Sequence, residues 1–175
     1  MKSRSKHANA FSLVEMVIVV VIIGLIAAIA VPRISRGAKG ATESSVKGSL
    51  AGLRAAIDLF AAEHNGIFPG KTKSDGTTGA GDDTDFVAHL TKYSDIDGKT
   101  GAYNAATGII YGPYLRNGVP ALPVGPSDEA TTVTFVATSP PTPDNAGGWV
   151  YNPSTGEIRA NTDVTDEASK AYSDY

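Results

Sequence analysis

The side chains able to do chemistry are few and scattered along this chain of 175 residues. Cysteine is absent, which removes disulfides, thiolate zinc sites and cysteine nucleophiles. The three histidines, His7, His64 and His89, fall at no metal-ligand spacing. No G-x-S-x-G, G-x-x-x-x-G-K-[ST] or H-E-x-x-H pattern occurs. The glycine-rich residues 76–81 lead into neither a basic residue nor a strand–helix context. An enzyme is therefore not expected. Among the carboxylates, Asp82, Asp83 and Asp85 form one cluster, and Asp95-Ile96-Asp97-Gly98 reads as a fragment of a calcium loop. Calcium takes roughly six to eight oxygen ligands around a glycine-permitted turn. Neither cluster completes the EF-hand pattern, so a solvated acidic loop is the simpler reading and calcium the competing one. Glu15 is different in kind, because it stands at the start of an apolar run.

The elements that must position Glu15 lie at the N-terminus. Residues 1–10 are polar, carry Lys2, Arg4 and Lys6 and contain no acid. A basic segment of this sort before an apolar run is held on the cytoplasmic side. Residues 16–31 have no polar side chain, and residues 13–32 are long enough to cross a hydrocarbon layer of ~30 Å. Arg33 and Arg36 then restore polarity. Three readings compete: a secretory signal peptide cut after Ala28-Ile29-Ala30, a plain signal anchor, or a leader cut just before the run so that the span is retained. A carboxylate inside such a span costs roughly 2–3 kcal/mol on insertion scales, less near the interface. A signal peptide or simple anchor gains nothing from it. A partner inside an apolar assembly would explain it.

The stretch AFSLVEMVIVVVIIGLIAAIAVP resembles the N-terminal signature of type IV pilins and type II secretion pseudopilins. The resemblance covers about a seventh of the chain and is highly specific. It implies cleavage between Ala10 and Phe11 by a prepilin peptidase, methylation of the new N-terminus at Phe11, and pairing of Glu15 with the N-terminal ammonium of a neighbouring subunit. Ala10 stands where the family normally has glycine; alanine is the next smallest side chain, and cleavage is expected to survive. Pro32 matches a proline common at this place in the family helix. Gly24 is a second weak point or a close-approach site in the span, and Pro32, lacking a donor, argues for a bend or local melting.

Beyond Pro32, Val46, Leu50, Leu53, Ile57 and Phe60 recur at steps of three and four on one helix face, with Lys47, Arg54, Asp58 and Glu63 off that stripe. One helix over residues 11–64 would be ~80 Å long. A domain of this size cannot bury all of it. The first half must pack on lipid before assembly and on other copies of the same helix in a filament.

Asn65-Gly66 and Pro69-Gly70 end the helix. Residues 70–85 read as a polar loop, after which Asp83 or Thr84 can cap a short helix carrying Phe86, Val87 and Leu90. Residues 95–108 read as a further loop. Residues 131–138 alternate as a strand, and GGWVYNPSTGEIRAN reads as a β-hairpin with Trp149 as packing. The prolines of SPPTPDNAG exclude a central strand. Residues 161–175 are polar and read as a loosely attached tail. The fold class is α+β: a long N-terminal helix, apolar then amphipathic, packed on a small antiparallel sheet domain. The organisation is residues 1–10 leader, 11–32 membrane and filament-core segment, 33–65 amphipathic helix and 66–175 loop-rich globular domain.

Residues 1–64 carry eight Lys/Arg against four Asp/Glu, and residues 65–175 carry seven against fourteen. The acidic C-terminal part disfavours nucleic-acid phosphates. YGPYLRNGVPALP resembles a segment of the major pseudopilins, although Val124-Gly125-Pro126 replaces their Asp-Pro-Trp-Gly. The family resemblance implies a structural subunit of a pseudopilus in type II protein secretion. A type IV pilus subunit for adhesion, motility or DNA uptake is an alternative, as is a membrane-anchored binding domain that does not polymerise. The implied partners are copies of itself and related subunits, prepilin peptidase, an inner-membrane assembly platform and the bilayer. The implied location is the bacterial inner membrane, single-pass, with the C-terminal domain outside the cytoplasm. Major pseudopilins bind calcium in a C-terminal loop, which keeps calcium on the acidic clusters as an expectation.

Overall fold

The computed structural model describes residues 12–175. It comprises two units, Met1–Gly40 and Ala41–Tyr175. In the first unit the described residues are helical from Leu13, and the apolar segment Leu13–Ala30 contains no buried residue. The helix α1, Leu13–Glu63, continues through Gly24 and Pro32 with no melted turn, although Pro32 withholds one backbone donor.

In the second unit the expected stripe is the core. Val46, Leu50, Leu53, Ile57 and Phe60 are all buried, joined by Ala56, Ala61 and His64. Each large apolar side chain fully withdrawn from water contributes about 1.5–3 kcal/mol. Lys47, Arg54 and Asp58 are exposed along one flank. The back of this stretch is not charged: Ala41, Gly48, Ala51, Gly52, Ala55 and Ala62 are exposed, with Leu59 51% exposed among them. α1 stops as expected. Asn65 and Gly66 both adopt positive φ, 55° and 77°, and the Gly66 amide returns to the Ala61 carbonyl at 2.8 Å.

Helix α2, Asp83–Thr91, buries Phe86, Ala88, His89 and Leu90. Its cap is Asp82 rather than Asp83 or Thr84. Asp82 accepts from the Asp85 amide and Asp85 accepts from the Asp82 amide, a reciprocal capping box. The region read as a loop after α2 contains short pairings: β1 (Tyr93–Ser94) runs antiparallel to β2 (Thr100–Gly101), followed by a 3-10 turn over Ala105–Thr107.

The second sheet has the order β3-β4-β5, with β3 Val133–Phe135, β4 Trp149–Tyr151 and β5 Ile158–Ala160. β4 and β5 form the expected antiparallel hairpin, Val150 opposite Arg159. β3 pairs with β4 in parallel, Thr134 opposite Val150, so the proline-rich residues 139–147 serve as the crossover that a parallel pair needs. Thus the fold is α+β, with two antiparallel strand pairings and one parallel. Trp149 is fully buried and its indole donates to the Pro120 carbonyl at 2.7 Å.

The expected loose tail is a correction. Asn161, Thr162, Tyr172 and Ser173 are buried, and Tyr172 belongs to the core. Tyr175 donates to Asp166 at 2.5 Å, and its ring lies 4.7 Å from both the Lys47 and the Lys170 ammonium. Arg54 donates to the carbonyls of Ile158 (3.2 Å) and Tyr175 (3.0 Å). Two tyrosines in an otherwise polar stretch supply enough apolar area to dock it.

Candidate functional site

Glu15 sits in the first turn of α1, in the apolar unit. Its carboxylate accepts from the Ser12 amide at 2.9 Å, while the Ser12 hydroxyl accepts from the Val14 amide at 3.3 Å. Ser12 and Glu15 therefore close the helix start on each other in the manner of a capping box, satisfying amides that no helical carbonyl can reach. The Ser-x-x-Glu spacing signals this arrangement in the sequence, and the resemblance-based reading of Glu15 overlooked it. The carboxylate has a local use: it sits at the positive end of the helix dipole. The cap still leaves an ion in an apolar span with a neutral amide as its partner.

Beyond Glu15 the described surface is apolar through Ala30. Leu13 is 79% exposed, and Val17, Val20, Ile23, Leu25, Ile26 and Ile29 are also exposed. A helix apolar on every side requires lipid or protein around it. Gly24 lies in this span with open space where a Cβ would be. Ala10 and Phe11, the expected cleavage and methylation positions, lie outside the described residues. A family model described as the prokaryotic N-terminal methylation motif matches residues 5–31. That match supports a type IV pilin-like family and covers both the Ala10–Phe11 junction and Glu15. No curated protein and no solved structure matches the chain. The matched motif belongs to structural proteins rather than to a catalytic family, and with the apolar helix it is consistent with membrane anchoring.

The acidic residues are placed for folding. Asp82 and Asp85 meet in the capping box, and Asp85 also accepts from the Ser74 amide (2.8 Å) and hydroxyl (2.6 Å). Partial burial alone would raise the Asp85 carboxyl, but the hydrogen bonds from Ser74 and the Asp82 amide outweigh it and lower its pKa. Asp83 is exposed. In the other loop, Asp95 accepts from the amides of Asp97 (3.0 Å) and Lys99 (2.9 Å), and Asp97 is exposed. Asp82, Asp85 and Asp95 thus each close a local cap or turn through backbone amides. Among the described residues no three His, Asp or Glu side chains are grouped to hold a metal.

The histidines are where the structure gathers what the sequence left apart. His64 and His89 are both buried and flank Phe60: the His64 ring stacks on Phe60 at 3.8 Å and the His89 ring lies 5.0 Å from it. His64 Nδ1 donates to the Phe60 carbonyl (2.7 Å), leaving Nε2 to accept from the Ser94 hydroxyl (2.9 Å). Beside them, the Tyr114 hydroxyl donates to Glu63 at 2.5 Å. Burial, then the Glu63 carboxylate, raises the Tyr114 pKa.

Proposed function

We propose that this chain is a structural subunit of a pilus-like filament, of the pseudopilus kind used in type II secretion. On this reading a prepilin peptidase removes residues 1–10, and the mature chain is held in the inner membrane by its apolar helix. Assembly then proceeds through that helix beside copies of the same chain and related subunits. The observation that carries the reading is the apolar segment Leu13–Ala30, which has no buried residue and holds the ionisable Glu15 in its first turn, within the residues matched by the methylation motif. Lipid satisfies the apolar surface but not the carboxylate. A neighbouring subunit satisfies both, its apolar helix covering the surface and its N-terminal ammonium pairing with the charge. The exposed small-residue back of α1 in the second unit suits close approach between copies as well. The pseudopilus label is supported by the Tyr114-Leu115 segment resemblance and by the absence of cysteine, since many type IV pilins close a C-terminal loop with a disulfide.

The capping arrangement determines how the pairing is tested. Glu15→Gln keeps an oxygen that accepts from Ser12 and removes the charge; Ser12→Ala removes the hydroxyl of the cap and keeps the charge. Filaments are expected to be lost in Glu15→Gln and retained in Ser12→Ala, scored by electron microscopy under conditions where the wild type assembles. The reverse pattern would make Glu15 a cap and no more.

A further inference from the structure

The second unit contains a buried group that neither the membrane span nor filament assembly uses. His89 is fully buried, and its Nδ1 accepts the Gly70 amide proton at 3.0 Å. A backbone amide is an obligate donor, so the ring is the neutral tautomer with its proton on Nε2. Nε2 has no hydrogen-bond partner of normal geometry. It faces the Gly98 backbone, where a Cβ would lie 3.3 Å away, with Thr72 Oγ1 bordering the same space. One ring therefore touches α1 through Phe60, the turn after α1 through Gly70, and the β1–β2 loop through Gly98.

We propose that His89 is an acid-sensitive latch: protonating its ring sets Nδ1–H against the Gly70 amide and frees residues 66–98 from the end of α1. The charged groups around the ring do not offset this. From α1 the titratable group is His64, whose charging would repel a second imidazolium. From α2 it is Asp85, which attracts the charge but is engaged with Ser74 and Asp82. In the β1–β2 loop Asp95 is turned onto the Asp97 and Lys99 amides. In the turn after α1, Lys71 and Lys73 are exposed. Burial holds the His89 pKa down, to about 4, and the nearby Gly98 backbone and Asp85 return only part of that shift. The folded pKa is below the unfolded one of ~6.5. The latch is therefore fully closed above that value and weakens as pH falls toward about 4.

The test is nuclear magnetic resonance on the full chain in detergent micelles, from pH 7 to pH 4. His89 should show the Nε2–H tautomer at neutral pH. Protection of the Gly70 amide, corrected for the intrinsic pH dependence of exchange, should fall about tenfold per pH unit below ~6.5. His89→Asn offers an oxygen at the Nδ1 position to the same amide and cannot be protonated; its protection should stay flat over that range. An ordinary titration of His89 with Gly70 protection unchanged would overturn the latch, as would identical acid profiles for wild type and variant. If the variant does not fold, the wild-type slope alone decides.

Discussion

Several buried polar side chains in the second unit are committed to named partners, and that commitment sets what their removal costs. Asn161 is the clearest case. Its Oδ1 accepts from the Asp144 (2.8 Å) and Asn145 (3.2 Å) amides, and its Nδ2 donates to Asp144 Oδ1 at 2.7 Å. It pins the proline-rich crossover to the end of β5. Asn161→Ala leaves two part-buried amides without that acceptor and should cost about 1–2 kcal/mol in denaturant unfolding. Hydrogen bonds from the Ala146 amide and from Asn161 lower the Asp144 pKa. Asp144 therefore adds stability above the ordinary carboxylate value and loses it as pH falls below that value. This acid loss lies below the range in which His89 acts, which keeps the two separable. Neither role was legible in the sequence, where Asn161 and Asp144 read as loop residues and the two histidines as isolated. The pairs Asp144–Asn161, Gly70–His89 and His64–Ser94 lie 17, 19 and 30 residues apart, and no local spacing encodes them.

At the scale of elements, periodicity carried most of the information. The stripe from Val46 to Phe60, the Asn65-Gly66 stop and the β4–β5 hairpin are all where local patterning places them, because each is specified within a dozen or so residues. The parallel β3–β4 pairing and the docking of the C-terminal segment depend on long-range packing, and polar composition concealed the second. Tyr172 is 6% exposed in the core and Tyr175 bridges two lysines and Asp166. Tyr172→Ala should therefore destabilise the domain by about 3 kcal/mol, as deletion of a buried aromatic does. A loosely attached tail would show almost no change in the same unfolding experiment. Gly98→Ala is a second test of element placement. The residue holds φ +89°, and the new Cβ would press on His89. A loss of roughly 1–2 kcal/mol is expected from strain and crowding together.

For the whole molecule, the governing fact is that no residue of Leu13–Ala30 is buried within the chain. A segment this apolar is stable only with lipid or other protein around it. The motif matched over residues 5–31 overlaps this segment and the expected junction Ala10–Phe11 before it. The mature chain purified from membranes should begin at Phe11 with an added methyl group, read by intact-mass and N-terminal peptide spectrometry; a start at Val31 would mean that the span is discarded. The candidate site was legible down to Glu15 because the signature is local and specific. The competing local use of that residue became visible only once Ser12 and Glu15 were seen to close on each other. The central claim is that the Glu15 charge serves a neighbouring subunit, and filament assembly by Glu15→Gln tests it most directly. The account predicts no filaments from a variant that is still processed and inserted in the membrane. Filaments in wild-type amount would contradict it.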